Sequence, residues 1–426
     1  MTSAAPHAVS PAAGPRADRP GAPQRTASGR TGAAQDEVRR HNLSLALSIV
    51  HTAGSITRSE LTERTGLSRS TIKALVAELV ALGVLTETGT AGSRSGAGRP
   101  SLVVRPHRSS VHVLAADVGV DRVVVGAYGL GGGFAARRLG RFASAEPTAD
   151  EVVALLRTLV DEVTAEVTAE SAGSRALGLA VALPAIVGRE DGVVRFAPNL
   201  GWVDEPLGER IRSAFPGLRV LVGNDGDLGA MGEHLRGAAQ GVDDLVYVHG
   251  DMGIGAGFVL GGRLVTGVSG YAGEVGHMVT APAGARCRCG VRGCWETEVG
   301  ALAIAEAVGA RGVAVRELGR LVRATAGGPR PAALEAVADA VGRGVATLVN
   351  VLNPGTVVLG GLLGDVFVAA GDTVAQGLRR TALTASLEPL HLAAAGCGPD
   401  AVLVGAAETM WQHLLVDPAA TLGAVS

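Results

Sequence analysis

Five stretches of this chain share one texture: an apolar strand that runs into a glycine turn. They are VHVLAADVGVDRVVVGAYGLGG from Val111, ALGLAVALPAIVG from Ala176, RVLVGNDGDLGAMGEHL from Arg219, DLVYVHGDMGIGAGFVLGGRLV from Asp244 and GTVVLGGLLGD from Gly355. Short apolar runs bounded by turn residues predict strands. Helical patterns at 148–169 and 332–352 lie between them. Strands alternating with helices predict an α/β body. The glycine turns let backbone N–H groups approach a phosphate, a weak signal singly and a stronger one in series. Aromatics are only 3% of a chain that is 47% hydrophobic, so the cores must be built from Ala, Val and Leu.

The first hundred residues have another texture. VRRHNLSLALSIVHTA, from Val38, puts Leu43, Leu47 and Val50 on one helical face. Thr57 and Glu60 fit a capping box, Gly66 breaks the helix, and Ser68 fits the cap of the next one. That helix would bury Ile72, Leu75, Leu79 and Leu82 and present Arg69, Ser70, Thr71 and Lys73 near its start. Such donors suit phosphates and base edges in a major groove. Two strands, VLTETG and SLVVRPH, flank TAGSRSGAGRP, whose Arg94 and Arg99 would form the basic tip of a wing for a minor groove. We read residues 37–108 as a winged helix-turn-helix that binds double-stranded DNA, and residues 1–36 as a disordered tail.

Charge supports that division. Residues 1–110 carry 14 Lys+Arg and 7 Asp+Glu, and the remainder carries 24 and 33. A basic head on an acidic body predicts a polyanionic partner for the head. No run approaches the ~20 apolar residues of a membrane helix, and the first residues lack the apolar core of a signal peptide. The expectation is a cytoplasmic protein.

The chain has four cysteines, and three fall within eight positions: Cys287, Cys289 and Cys294, with His277 ten residues earlier. Three thiolates and an imidazole are a closed tetrahedral set of the kind that holds structural zinc. An iron–sulfur cluster usually needs a fourth cysteine. Glu274 and Glu296 flank the knot and would be carried with it; carboxylates of this kind hydrogen-bond sugar hydroxyls. Asn224 and Asp225 follow an apolar strand, where open α/β sheets bind ligands. They fit a site in which Asp225 acts as a general base on a hydroxyl. They fit equally a turn that caps the next helix.

These motifs resemble the ROK family of repressors and sugar kinases. The resemblance is carried by YAGEVGH (271–277), CRCGVRGCWE (287–296), NDGDLGAMGE (224–233), GIGAGFVLGGRLVTGVSG (253–270) and NPGTVVLGG (353–361). It covers roughly residues 112–410, and the GRP at 98–100 resembles the end of the winged module in the family's repressor branch. The resemblance implies a two-lobed actin-like ATPase fold over 109–426, with lobes of about 109–235 and 236–426. It implies zinc on His277, Cys287, Cys289 and Cys294. It implies sugar contacts at Asn224, Asp225, Glu274, His277 and Glu296, with Asn199 a further candidate, and a homodimer or homotetramer.

The departures from the family pattern separate its branches. Family kinases open with an Asp-Ile-Gly-Gly-Thr-Lys type phosphate loop, and here the loop is DVGVDR (117–122). The second phosphate loop reads GDMGIG (250–255), and the usual Pro-Gly between lobes reads Pro184-Ala185. Bulk at Val120 and negative charge at Asp121 and Asp251 disfavour a polyphosphate. We therefore expect a sugar-responsive transcriptional regulator, a repressor of carbohydrate genes. The alternative is an ATP-dependent sugar kinase of the glucokinase or N-acetylhexosamine kinase type, using ATP and Mg2+ with Asp225 as its base.

Overall fold

The computed structural model describes residues 27–90, 102–144 and 146–423. Helix α1 (Ala27–Ala53) begins inside the stretch expected as a tail. The prolines of that stretch end at Pro23, and proline is the strongest bar to a helix interior. Strand β1 (Ile56–Thr57), helices α2 (Arg58–Thr65) and α3 (Arg69–Ala81), and strands β2 (Leu85–Thr90) and β3 (Leu102–Pro106) complete the head, with its strands in the order β1-β3-β2.

Local chemistry sets these ends. Thr57 and Glu60 make both arms of the capping box, and Gly66 ends α2 in a left-handed conformation. Ser68 caps α3 by accepting the Thr71 N–H at 3.1 Å. Leu43, Leu47 and Val50 are buried with Ile72, Leu75 and Leu79 in one core. Leu82, expected in that stripe, falls just past the end of α3 and is only partly buried.

The first lobe of the body is β4 (Val111–Val118), β5 (Arg122–Gly129), β6 (Phe134–Arg141), α4 (Ala149–Glu170) and β7 (Arg175–Leu183). It continues through a small flap of β8 (Ile186–Val187), β9 (Val194–Ala197) and β10 (Trp202–Glu205). Helix α5 (Leu207–Ala214), strand β11 (Arg219–Asn224) and helix α6 (Asp225–Arg236) end it. Its sheet order is β11-β7-β4-β5-β6. The second lobe holds β12 (Leu245–Gly250), β13 (Ile254–Leu260), β14 (Arg263–Leu264), β15 (Thr356–Gly360) and β16 (His391–Ala394), in the order β14-β13-β12-β15-β16. Each sheet is an antiparallel three-strand meander extended by two parallel strands. The body is thus one strand plan used twice.

Helices α7 (Glu296–Val299), α8 (Ala301–Ala307), α9 (Val315–Arg323), α10 (Ala332–Leu352), α11 (Gly361–Thr381) and α12 (Thr384–Leu387) belong to the second lobe. Both helices expected from the sequence form, the first as α4, capped by Thr148 with Glu151, and the second as α10. At its C-terminal end the chain returns to the first lobe. Helix α13 (Ala401–Val416), followed by α14 (Pro418–Gly423), crosses back to pack on α6, β4 and β7 rather than closing the second lobe. Backbone touches backbone there: a Cβ on Gly232 would lie 2.2 Å from the Ala401 carbonyl oxygen, and one on Gly405 1.6 Å from that of Leu228. No helix among the described residues is long and apolar enough to cross a membrane.

Candidate functional site

The two turns that join the first pair of strands in each sheet, 118–122 and 250–254, face each other across the gap between the lobes. Strand β11 ends beside them, and the zinc-type knot closes the far wall. Asn199, Asn224, Asp225, Glu274, His277 and Glu296 all line this one cleft, which encloses about 790 Å³ including its open mouth. The sequence left Asn224 and Asp225 between a ligand site and a helix cap. The geometry joins the two: Asn224 Oδ1 accepts the Asp227 N–H at 3.1 Å and caps α6, while its Nδ2 donates to the Ala185 carbonyl at 3.1 Å. Asp225 Oδ1 accepts the Gly226 N–H at 2.8 Å. Burial pushes the Asp225 carboxyl above its ordinary range, against the pull of His249.

The knot brings its four candidate ligands together. One donor atom from each of His277, Cys287, Cys289 and Cys294 lies within 4.8 Å of the other three. Cys289 Sγ and Cys294 Sγ are 3.6 Å apart, and Cys287 Sγ is 3.8 Å from His277 Nδ1. Zinc–ligand bonds of ~2.0–2.3 Å give tetrahedral edges of roughly 3.5–3.8 Å, so the donor set fits that ion. Gly293 makes the fold possible. It sits at φ 76°, and a Cβ there would lie 1.7 Å from the Ala281 carbonyl oxygen. The other ring nitrogen of His277, Nε2, lies 3.7 Å from Glu274. At that separation the contact is electrostatic and not a hydrogen bond. Burial raises the Glu274 carboxyl, with His277 opposing.

The nucleotide side of the cleft has a different chemistry. Arg122 Nη2 lies 3.8 Å from Asp117 and 4.0 Å from Asp251, and Arg122 Nη1 is 3.5 Å from Asp121. A guanidinium of the protein itself stands between the two turns. Burial pushes the Asp117 carboxyl up to about 6, with Arg122 pulling it down and Asp251 and Asp225 pushing it further up. Acids of this kind can hold a divalent cation, but Arg122, the guanidinium between the turns, is paired with them rather than free to meet a polyphosphate.

Three features escaped the sequence reading. Arg288, in the knot, donates across the cleft to Asn199 Oδ1 at 2.9 Å. His249, at the end of β12, lines the cleft and meets the Tyr247 hydroxyl at 3.1 Å. Asp227 is buried beneath the cleft, and its Oδ1 has no hydrogen-bond partner among the described residues. Of the three, only His249 carried a signal, its place at a strand end before a glycine.

In the head, Arg69, Ser70 and Lys73 are exposed and Thr71 half-exposed on α3. The Ser70 and Thr71 hydroxyls each lie 2.8 Å from Ser68 Oγ, so both also belong to the cap. Arg94 and Arg99 lie outside the described residues.

Comparison with known proteins agrees with this division. A model of the ROK family matches residues 113–413, and a model of winged helix-turn-helix DNA-binding domains matches 45–86. The chain is 27% identical over 332 residues to a xylose repressor of Caldicellulosiruptor bescii, covering 74% of this chain and 82% of that one. It is 27% identical over 270 residues to a glucokinase of Streptomyces coelicolor, covering 59% of this chain and 85% of that one. Among solved structures, a ROK family transcriptional regulator, a homolog of the E. coli MLC protein, superposes with a TM-score of 0.70 at 26% identity, covering 91% of this chain and 98% of that one. A Streptomyces griseus glucokinase in complex with glucose and AMPPNP gives 0.60 at 27% identity, covering 71% and 99%.

Proposed function

Since the chain belongs to the ROK family and carries a winged helix-turn-helix head, we propose that it is a sugar-responsive DNA-binding repressor of carbohydrate genes. The observation that carries this reading is the contrast within one cleft. The sugar side keeps its carboxylates and amides, while Arg122 fills the phosphate side as an internal counter-ion between Asp117 and Asp251. Asn224, Asp225, Glu274, His277 and Glu296, with Asn199, hold the sugar hydroxyls. Carboxylates accept through two oxygens and amides both accept and donate, which suits vicinal hydroxyls and gives neutral sugars an advantage over phosphorylated ones in so acidic a site.

Zinc on His277, Cys287, Cys289 and Cys294 would supply rigidity and no chemistry. This chain's residues do the rest: Gly293 shapes the loop, Glu274 stands beside His277, and α7 begins at Glu296 beside the cleft. In the head, Arg69, Ser70, Thr71 and Lys73 face the major groove. The protein works in the cytoplasm as a homodimer or homotetramer, because paired heads read two half-sites of a near-palindrome.

D-xylose and D-glucose are the first ligands to test, given the names of the relatives. The experiment is operator binding by the full chain, on duplexes it selects from a random pool, with and without each sugar. A sugar that binds and changes operator affinity at least tenfold supports the reading. A sugar that binds with no effect on DNA refutes it.

The kinase reading is favoured by one observation, Asp225 standing where a general base would be needed. It predicts sugar phosphate from ATP and Mg2+ by purified protein, lost in Asp225→Asn. Turnover at ordinary kinase rates would replace the sensor reading.

A further inference from the structure

The head is joined to the body by a short link, residues 107–110, and by α1 lying against α13. Inside that contact is a buried polar cluster that neither DNA contact nor sugar contact explains. Glu408 of α13 is 1% exposed. Its Oε2 is 2.8 Å from His51 Nε2, at the end of α1, and its Oε1 accepts from Arg236 Nε at 2.6 Å. Arg236 is the last residue of α6. Its two remaining nitrogens donate to the head's backbone, to the Thr52 carbonyl at 3.2 Å and the His51 carbonyl at 3.1 Å. The Gly131 N–H donates to His51 Nδ1 at 2.9 Å. That bond makes Nδ1 an acceptor, so the proton of the neutral ring sits on Nε2 and points at Glu408.

Burial alone would raise the Glu408 carboxyl, but the hydrogen bond from His51 and the charge and hydrogen bond of Arg236 hold it below its ordinary range. A buried charge with both oxygens paired is expensive to separate from its partners. The cluster therefore fixes the ends of α1 and α6 to the middle of α13 as one piece.

The other end of α6 is the cleft. The helix starts at Asp225, runs twelve residues and ends at Arg236, a rod of about 18 Å. Gly232 and Gly405 bring α6 and α13 into backbone contact, so no side chain cushions the pair. We propose that α6 with Arg236, Glu408 and His51 is the joint through which sugar in the cleft repositions the DNA-binding head. This rests on the sensor reading above. Arg236 and Glu408 are positioning residues: they touch neither sugar nor DNA and act through α1.

The chain's three tryptophans make the joint observable. Trp295 adjoins Glu296 in the cleft wall, whereas the ring of Trp411 lies 5.9 Å from that of His51. In full-length protein labelled with 5-fluorotryptophan, saturating D-xylose or D-glucose is expected to shift the 19F resonances of Trp295 and Trp411 together. Glu408 uses one oxygen for each of two donors, so Glu408→Gln sets an amide N–H2 against one of them. In Glu408→Gln, and in Arg236→Gln should the first fold poorly, the Trp295 shift and the sugar affinity should stay within twofold of the unsubstituted chain. The Trp411 shift should be lost. Arg236→Lys, which keeps the charge but not the forked donors, should retain part of it. A Trp411 shift that persists at full size in the glutamine variant that folds overturns the joint. So does a Trp295 shift with Trp411 silent in the unsubstituted chain. Silence at both indoles with every sugar overturns the sensor reading and the joint with it, a pattern distinct from the other two.

Discussion

Asp227 offers a sharp test of how the cleft is built. It is the third residue of α6, only 7% exposed, and one carboxylate oxygen has no partner among the described residues. Burial pushes its carboxyl from 3.8 up to about 7, with Asp225 and Glu274 adding to the rise and Arg189 opposing it. A carboxyl whose folded value lies above its unfolded value holds its proton longer in the folded state. Its ionisation therefore costs stability, beginning near pH 4 and complete above pH 7. At ~1.4 kcal/mol per pH unit, the full cost is roughly 4 kcal/mol, of which about 2 develop between pH 5.5 and 8.5. The positive end of α6 offsets about a tenth to a quarter of that, at ~0.3–1 kcal/mol. Asp227→Asn removes the titration and keeps the shape. The melting temperatures of the two proteins, followed from pH 5.5 to 8.5 with zinc in excess, should diverge as pH rises, the variant being the more stable at the alkaline end. Asp117 titrates with the same sign in both proteins and cancels from the difference. A gap that does not change with pH would refute the account of Asp227 as a buried, uncompensated acid.

Other substitutions probe the remaining parts. Gly293→Ala places a Cβ against the Ala281 carbonyl at a left-handed position, so the purified protein should lose most of its bound zinc by metal analysis. Cys289→Ser should abolish both zinc binding and the sugar-induced rise in melting temperature; a rise that survives zinc loss would reduce the knot to a local staple. Arg122→Ala exposes Asp117 and Asp251 to each other, and Mg2+ should then stabilise the variant but not the unsubstituted chain. Arg69→Ala on α3 should weaken operator binding and lower the slope of log affinity against log salt by about 1, as expected for one phosphate contact.

What could be read from the chain follows from the range of the physics. Caps, breakers and metal sets are local. Thr57 with Glu60, the turn at Gly66, and the knot from His277 to Cys294 are each written within about twenty residues, and each forms as read. The strand–turn blocks gave the element types of both lobes, because apolar runs and glycine turns act over single strands. The return of α13 to the first lobe was not legible, since its partners Leu228 and Gly232 lie more than 160 positions away. Arg122 read as the loss of a lysine, whereas its ion pair with Asp251 depends on two turns about 130 residues apart. The Glu408 cluster joins residues 357 positions apart and left no trace in any motif.

The duplicated strand plan explains how one frame serves both a kinase and a sensor. The turns at 118–122 and 250–254 occupy equivalent places in the two sheets, where a kinase would clamp a polyphosphate between lobes. Here the lobes meet at that point through Arg122 and Asp251, and on the sugar side through Arg288 and Asn199. The Arg122 and Asp251 side chains are 30% and 27% exposed, and partly exposed pairs of this kind contribute roughly 0–1 kcal/mol. A latch that weak cannot hold the lobes against a ligand. A sugar that prefers one lobe arrangement by ~1.4 kcal/mol already shifts the balance tenfold. On the sensor reading, that preference is passed to the helix pair α6–α13, on which the head is mounted. On the same reading, a weak internal ion pair in place of a phosphate clamp leaves lobe position free to follow a sugar.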